Sequence, residues 1–302
     1  MSHESELAIK VMGRETRNPW QPRGGGSDDK CLTPTNASEE RTKKNKVMLK
    51  LTRYVLYDIL RSKVVIAYTL FLFVVSFSLF QLEENHSKAI LSLLNIVLIV
   101  VPLISMIFTT IHYYNSYEFI ELMLSQPLSR TRILLSEYGG VALSLLSGFF
   151  IGVGVPVILF AFDATGIALL FTGSALTLVF TSIAFLASVK ARDKARGIGS
   201  ALLLWFYFAL IYDGLVLLIL FSFSDYPMEK FTLILSALNP IDLGRIFIML
   251  KMDVSALMGY TGALYKDFFG SGTGLLFTVG IMLLWIIVPL LLALRVFRKK
   301  DM

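Results

Sequence analysis

The sequence predicts an all-α membrane protein with six transmembrane helices and both termini in the cytoplasm. Hydrophobic residues make up 55% of its 302 residues and charged residues only 17%, and the mean hydropathy is +0.69. Several stretches of about 20 residues have almost no charged side chain, which is long enough for a helix to cross roughly 30 Å of hydrocarbon. A helix is the expected form because it satisfies its own backbone hydrogen bonds in lipid.

The basic residues set the predicted orientation of six spans at 64–82, 89–111, 139–161, 167–189, 199–223 and 274–294, the third starting as early as Ile133. Basic side chains precede the first span, follow the sixth, and lie between the second and third and between the fourth and fifth. The other short connections have Lys88 alone or no basic residue. The positive-inside rule therefore places the segments 112–138 and 190–198 and both termini in the cytoplasm.

Residues 1–46 do not share this pattern. They are polar, with a run of three glycines at Gly24–Gly26, and their composition predicts a disordered tail. The alternative is an over-extended start with Met48 as the initiator. No apolar core of a secretory signal follows the N terminus. The single cysteine, Cys31, excludes an internal disulfide.

Residues 47–63 are predicted to form an interfacial elbow helix before the six-span domain at 64–302. Apolar residues recur at helical spacing, and polar residues mark the other side. The apolar set is Leu51, Val55, Leu56, Ile59 and Leu60, and the polar set is Lys50, Arg53, Asp58 and Arg61. The alternative is a simple extension of the first span into the cytoplasm.

The cytoplasmic segment 112–138 contains a predicted short amphipathic helix. Glu118 and Glu121 lie one helical turn apart, and Pro127 ends the helix because proline lacks a backbone donor. A basic turn at Arg130 then leads into the third span. By composition alone, an ordinary charged loop is an equal alternative.

The order of acidic residues, short helix and Pro-x-Ser-Arg resembles the cytoplasmic signature of ABC-2-type transporter permeases. In that family the helix is a coupling helix that docks into a groove of the ATP-binding subunit. The resemblance implies that Glu118 and Glu121 form the polar dock and that Pro127–Arg130 sets the return into the membrane. Many relatives have lysine near the position of Glu137, so this residue is given no role.

Four further motifs, in this order, resemble the permeases of transporters that mature nitrous oxide reductase: Tyr114–Leu122, Ala191–Gly197, Tyr212–Gly214 and Ala237–Asp242. The resemblance implies a homodimer in the bacterial inner membrane, with two copies of an ABC ATPase subunit that bind ATP and magnesium. It also implies a periplasmic β-helical subunit and a role in copper-site assembly during denitrification. Within the same class, the alternative is an ABC-2 exporter of lipid, drug or glycan.

No catalytic or cofactor-binding residue is expected in this chain. The phosphate-loop pattern Gly-x4-Gly-Lys-Ser/Thr is absent, so ATP use requires another polypeptide. Gly-x-Ser-x-Gly and His-Glu-x-x-His are also absent, which argues against a membrane enzyme. No convincing internal repeat indicates a secondary carrier. The excess positive charge lies at the joints between spans, where it indicates lipid bilayer rather than nucleic acid.

The segment 224–273 is predicted to lie outside the membrane and to contain a helix capped by Asn239, with Asp242 in its first turn. Our hypothesis is that this segment docks the periplasmic partner through Asn239, Asp242, Arg245 and Lys251, with Lys230 and Lys266 also on its rim. The alternative is that it packs back on the spans as a lid.

Two further features of the sequence bear on function. Asp213 is an acid inside a predicted span, at a cost of about 3 kcal/mol if unpaired. It could line a dimer interface or a translocation path, or hydrogen-bond a neighbouring helix. Met249 and Met252 share a helical face, and thioethers suit Cu(I). Methionines in an apolar helix more often pack, so no metal site is assigned and copper is expected on the periplasmic subunit.

Overall fold

The computed structural model describes residues 52, 55–83, 85–124, 129–222, 229–251 and 272–299, all within the compact unit Asn45–Met302. In these ranges all regular structure is helical. We number the helices α1 (Lys63–Leu82), α2 (His86–Asn115), α3 (Tyr117–Leu124), α4 (Arg130–Phe149, a π-helical turn Phe150–Gly154 and Val155–Phe160), α5 (Ala164–Lys190), α6 (Lys194–Phe206, a π-helical turn Tyr207–Ile211 and Tyr212–Ser222), α7 (Glu229–Leu238), α8 (Pro240–Lys251) and α9 (Gly272–Lys299). The predicted tail 1–46, Pro127, Met252, Lys266 and the side chain of Lys230 lie outside the described residues.

Six of the described helices are long and apolar enough to cross a membrane, which confirms the predicted spans. They are Lys63–Leu82, His86–Asn115, Arg130–Phe160, Ala164–Lys190, Lys194–Ile219 and Leu275–Lys299. Several extend past the predicted bounds at ends that carry Lys or Arg. Such side chains have long apolar stems that let the charged group reach the headgroup region while the helix continues.

Helix α5 forms the centre of the bundle. In the most apolar stretch of α5, 72% of the residues are buried inside the protein, whereas only 11% are buried in the corresponding stretch of α6. It packs against α2, α4, α8 and α9. Its buried hydroxyls Thr177, Thr181 and Ser188 each donate to the backbone carbonyl four residues earlier. Their polar groups are thereby satisfied within the helix, which lets a helix rich in Thr and Ser lie in an apolar core.

The elbow segment is helical over the described residues 55–60, and the helix is interrupted at Arg61 and Ser62 before α1 begins. Ser62 has extended backbone angles, so the segment is not a straight continuation of the first span. Val55 and Ile59 are buried. A Cβ added at Gly140 of α4 would come within 2.4 Å of Val55 Cγ1, so a glycine is needed where the elbow meets the bundle.

Helices α7 and α8 form a hairpin, called here the α7–α8 hairpin, that packs back on the spans. Its tip is Asn239, which is fully buried. The Trp285 indole, halfway along α9, donates to the Ala237 carbonyl at 3.1 Å. A Cβ added at Gly244 would come within 2.5 Å of Thr172 Cγ2 on α5. For residues 229–251, the structure therefore has the lid-like packing that the sequence left as an alternative.

Candidate functional site

Helix α3 is amphipathic, as its sequence predicts. Ile120 and Met123 are buried, whereas Glu118 and Glu121 are exposed on the opposite side. The helix follows α2 after a turn at Ser116, whose backbone N–H donates to the His112 carbonyl at 2.9 Å. The two carboxylates therefore face outward from the bundle, on a helix that is packed against α2 and α4.

The joint of α2, α3 and α4 contains a buried polar pair that sequence reasoning missed. Glu137 is 1% exposed, and its Oε2 lies 3.2 Å from His112 Nε2. The Ser116 hydroxyl lies 3.3 Å from the same nitrogen. The resemblance gives Glu137 no role, and the sequence singles out Asp213 as the acid well inside a span. The signal that could have found Glu137 was its place at the start of the apolar run of the third span, where an unpaired acid is costly.

The start of α4 is tied to the end of α9. The Arg298 guanidinium donates through Nε to Thr131 Oγ1 at 2.9 Å. Arg130, one of the predicted coupling residues, donates to the Arg298 carbonyl at 3.4 Å. Both contacts lie at the same end of the bundle as α3, because α3 and Arg130 flank one connection. We call this the α3 end.

At the α3 end, two of the four resemblance motifs contact each other. The Tyr114 hydroxyl donates to the Ser188 carbonyl at 3.1 Å, and the Tyr114 ring lies against Gly197. Lys194 Nζ donates to Asn115 Oδ1 at 2.9 Å. The motif Tyr114–Leu122 thus meets the motif Ala191–Gly197, although more than 70 residues separate Tyr114 from Ser188 and Lys194.

The other two motifs meet at the tip of the α7–α8 hairpin. Asn239 Oδ1 accepts from the Ile241 N–H at 3.0 Å, which confirms its predicted role as a helix cap. Asn239 Nδ2 donates to the Phe208 carbonyl at 2.9 Å, inside the π-helical turn of α6. The Tyr212 hydroxyl donates to the Leu235 carbonyl at 2.5 Å. A π-helical turn shifts the backbone pairing and is often found at functional sites.

Asp213 belongs to a three-residue charge cluster with two residues predicted for partner contact. Arg245 Nη1 lies 2.7 Å from Asp213 Oδ2 and 3.3 Å from Asp242 Oδ1. Of the alternatives open for Asp213, the structure therefore has the bond to a neighbouring helix. Burial, and then the nearby Asp213 carboxyl, raise the pKa of Asp242 to about 7, although Arg245 and Asn239 act in the opposite direction.

The remaining candidates are distributed along α8. Lys251 is exposed at its end, and Met249 is partly exposed. Whether a partner contacts Lys251 or Arg245 stays a prediction. Among the described residues, no group of three His, Cys, Asp or Glu side chains is arranged to hold a metal ion.

Comparisons with known proteins identify the family to which the chain is similar. A family model described as ABC-2 family transporter protein matches residues 118–302. The probable ABC transporter permease protein NosY of Pseudomonas aeruginosa is 31% identical over 190 residues, which are 60% of this chain and 68% of that protein. The protein of the same name from Stutzerimonas stutzeri is 31% identical over 202 residues, 59% of this chain and 67% of its own length.

Proposed function

Because the chain belongs to the ABC-2 transporter family, we propose that it couples ATP hydrolysis by a separate subunit to a periplasmic partner in the copper-site maturation of nitrous oxide reductase. It is a multi-pass membrane protein and a permease of the ABC transporter class. The observation that supports the proposal best is the pairing of the four motifs into two clusters, one at the α3 end and one at the hairpin tip.

The first step is the transfer of motion from the ATPases to the α3 end, which we place in the cytoplasm of a bacterial inner membrane. ATP binding closes two ATPase subunits, and their movement is received by Glu118 and Glu121. The buried side chains of Ile120 and Met123 and the His112–Glu137 pair make α3 move together with α2 and α4. Arg298 extends the connection to α9.

The second step is transmission through the spans to the hairpin. Helix α6 carries Gly197 and Lys194 at one cluster and Phe208 and Asp213 at the other. Helix α9 carries Arg298 at the α3 end and Trp285 at the hairpin. Because each helix is continuous between these contacts, a shift at the α3 end would reach the hairpin without any substrate pathway.

The partners follow from the resemblance and are proposals. We propose a homodimer of this chain, two ATPase subunits that bind ATP and magnesium, and a periplasmic β-helical subunit that holds the copper. The apolar surfaces of α6 and α9, such as Leu203, Leu218 and Leu276, would face lipid or the second copy. No cofactor is proposed in this chain.

Affinity purification from native membranes in mild detergent, with mass spectrometry of stoichiometric partners, tests the complex. Recovery of an ATPase together with a periplasmic β-helical protein is the expected result. Recovery of an ATPase alone would favour an exporter of lipid, drug or glycan. Recovery of no ATPase would overturn the coupling role of α3.

A charge reversal tests the dock itself. Glu121→Arg should abolish stimulation of the ATPase by the permease without preventing membrane insertion, because Glu121 is exposed. Lys88→Glu, a charge reversal at the exposed start of α2, is the matched control and should retain stimulation. Normal coupling in Glu121→Arg would contradict the assignment.

A further inference from the structure

The cluster at the hairpin tip has an unequal number of positive and negative groups. One guanidinium nitrogen, Arg245 Nη1, serves both Asp213 at 2.7 Å and Asp242 at 3.3 Å. The side chain of Arg245 is only 31% exposed, that of Asp213 is 29% exposed and that of Asp242 is 13% exposed. With both carboxyls ionised, this partly buried site carries a net negative charge and a repulsion between like charges.

The hydrogen bonds of the two carboxyls are also incomplete. Asp242 Oδ1 accepts from Arg245, and Asp242 Oδ2 accepts from Asn239 Nδ2 at 3.2 Å. Asp213 Oδ2 accepts from Arg245, but Asp213 Oδ1 is buried without a partner among the described residues. A buried acceptor without a donor is costly. A single proton on either carboxyl would remove one charge and supply the missing donor between the two acids.

The three residues join two different structural units. Asp213 lies on α6, next to the π-helical turn, whereas Asp242 and Arg245 lie on α8 of the hairpin. Two further contacts between the tip and α6, from Asn239 and Tyr212, end on backbone carbonyls and involve no charge. The charge state of the cluster therefore affects how strongly it holds the hairpin against α6.

We propose that Asp213, Asp242 and Arg245 form a proton-dependent latch, which holds the α7–α8 hairpin against α6 while one carboxyl is protonated and loosens it when both are ionised. This inference does not depend on which partners the chain serves. It implies that the compartment facing the hairpin controls the attachment of the hairpin through its pH.

The direction of the effect follows from linkage. The pKa of Asp242 is raised to about 7 in the latched state, first by burial and then by Asp213. A carboxyl whose pKa is raised above its ordinary value of 3.8 binds its proton more tightly in the latched state than in a released state where the causes of the shift are lost. The proton therefore stabilises the latch at acidic pH, and this contribution is lost as pH rises through about 7.

The other helices packed against the hairpin contribute no further charge nearby, as far as the described residues go. On α6, the titratable side chain near Asp242, apart from Asp213, is Tyr212, and the ring of Tyr207 packs edge-on against that of Tyr212. On α2, His86 and Lys88 lie at the exposed start of the helix. The charged residues of α5 and α9 lie at the α3 end; they are Lys190 on α5 and Arg295, Arg298 and Lys299 on α9. The change of charge with pH is therefore assigned to Asp242.

A native tryptophan reports on the hairpin. The Trp285 indole donates to the Ala237 carbonyl and packs edge-on against Phe208 at 5.5 Å. Replacing the other two tryptophans, Trp20→Phe and Trp205→Phe, leaves Trp285 as the only one in the chain. The full chain with these two changes, in lipid nanodiscs, should show a shift in tryptophan emission between pH 5 and pH 9 with a midpoint near 7.

Two carboxyl variants decide the outcome. Asp242→Asn keeps the shape and removes the charge, so its emission should stay at the acidic value across the range. Asp58→Asn, at an exposed elbow residue, is the matched control and should keep the transition. A flat profile in the parent, or an unchanged transition in Asp242→Asn, would overturn the proposal.

Hydrogen–deuterium exchange on the unsubstituted chain keeps the test independent of how the variants fold. After correction for the intrinsic pH dependence of exchange, amides of α8 should exchange faster at pH 8.5 than at pH 6, by about tenfold or more. Amides of α5 should not change. Equal corrected rates in α8 at both pH values would also reject the latch.

Discussion

The Tyr114 ring lies against Gly197 so closely that a Cβ at residue 197 would come within 2.4 Å of its Cε2 atom. The same tyrosine is held in place by its hydroxyl, which donates to the Ser188 carbonyl at 3.1 Å. Three spans, α2, α5 and α6, therefore meet through one aromatic side chain next to α3. A displacement of the ring away from this position would break the hydrogen bond to Ser188 or open the contact with Gly197.

Gly197→Ala should destabilise the chain, and Gly199→Ala should not. Both glycines lie in α6 and gain the same helix propensity on substitution, about 1 kcal/mol. Only residue 197 meets a neighbour, since a Cβ at Gly199 has no atom within 4 Å. The difference between the two variants should be about 1–3 kcal/mol, the usual cost of overpacking. Thermal unfolding in detergent measures it, and equal midpoints would contradict the predicted contact.

The buried His112–Glu137 pair at the base of α3 predicts that two glutamate substitutions differ in their effect on stability. Glu137→Ala removes the acceptor of His112 inside the protein and should cost about 1–3 kcal/mol. Glu118→Ala, at an exposed residue of α3, should change stability by less than about 0.5 kcal/mol. Denaturation of the two variants in the same detergent checks this. A Glu137→Ala chain as stable as Glu118→Ala would mean that the pair does not hold the joint.

Asn239 has two roles at the hairpin tip that one substitution separates. Asn239→Asp keeps an oxygen to cap α8 but loses the amide donor to the Phe208 carbonyl, and it adds a carboxylate 3.2 Å from Asp242. Exchange of the α8 amides should therefore rise while the helix remains formed. Ser222→Ala, which removes only a bond to the carbonyl of Leu218 in the same helix, is the control. Unchanged exchange in Asn239→Asp would show that the tie to the π-helical turn is dispensable.

Hydropathy and charge predicted the parts of the fold that depend on residues close together in the sequence. The six spans, the amphipathic α3 and the cap at Asn239 depend on residues within a few turns of one another. The pairing of Asp213 with Arg245 joins residues 32 positions apart on different helices, and no local pattern specifies it. The sequence predicts Asp213 as a costly acid inside a span and Arg245 as part of an outer rim, without joining the two.

The sequence also did not predict how far the α7–α8 hairpin packs in among the spans, because this too depends on contacts between distant residues. Residues 229–251 form two short helices, each too short to cross a membrane, so the sequence favoured a segment outside it. Burial of Asn239 between Phe208 and Asp242 requires that α5, α6 and α9 leave a space for the tip. That space depends on small contacts such as Gly244 against Thr172, which are set by tertiary packing.

The elbow offers a test with neighbouring glycines. A Cβ at Gly140 would meet Val55 Cγ1 at 2.4 Å and Val55 Cβ at 2.8 Å, whereas a Cβ at Gly139 would meet Thr52 Cγ2 at an ordinary 3.4 Å. Valine is stiff at χ1 and cannot move aside without shifting its backbone. Gly140→Ala should therefore displace residues 55–60 and raise their hydrogen exchange, while Gly139→Ala should leave it unchanged. If both variants exchange alike, the elbow is anchored by its membrane contacts rather than by α4, and the interruption at Ser62 would serve as a hinge.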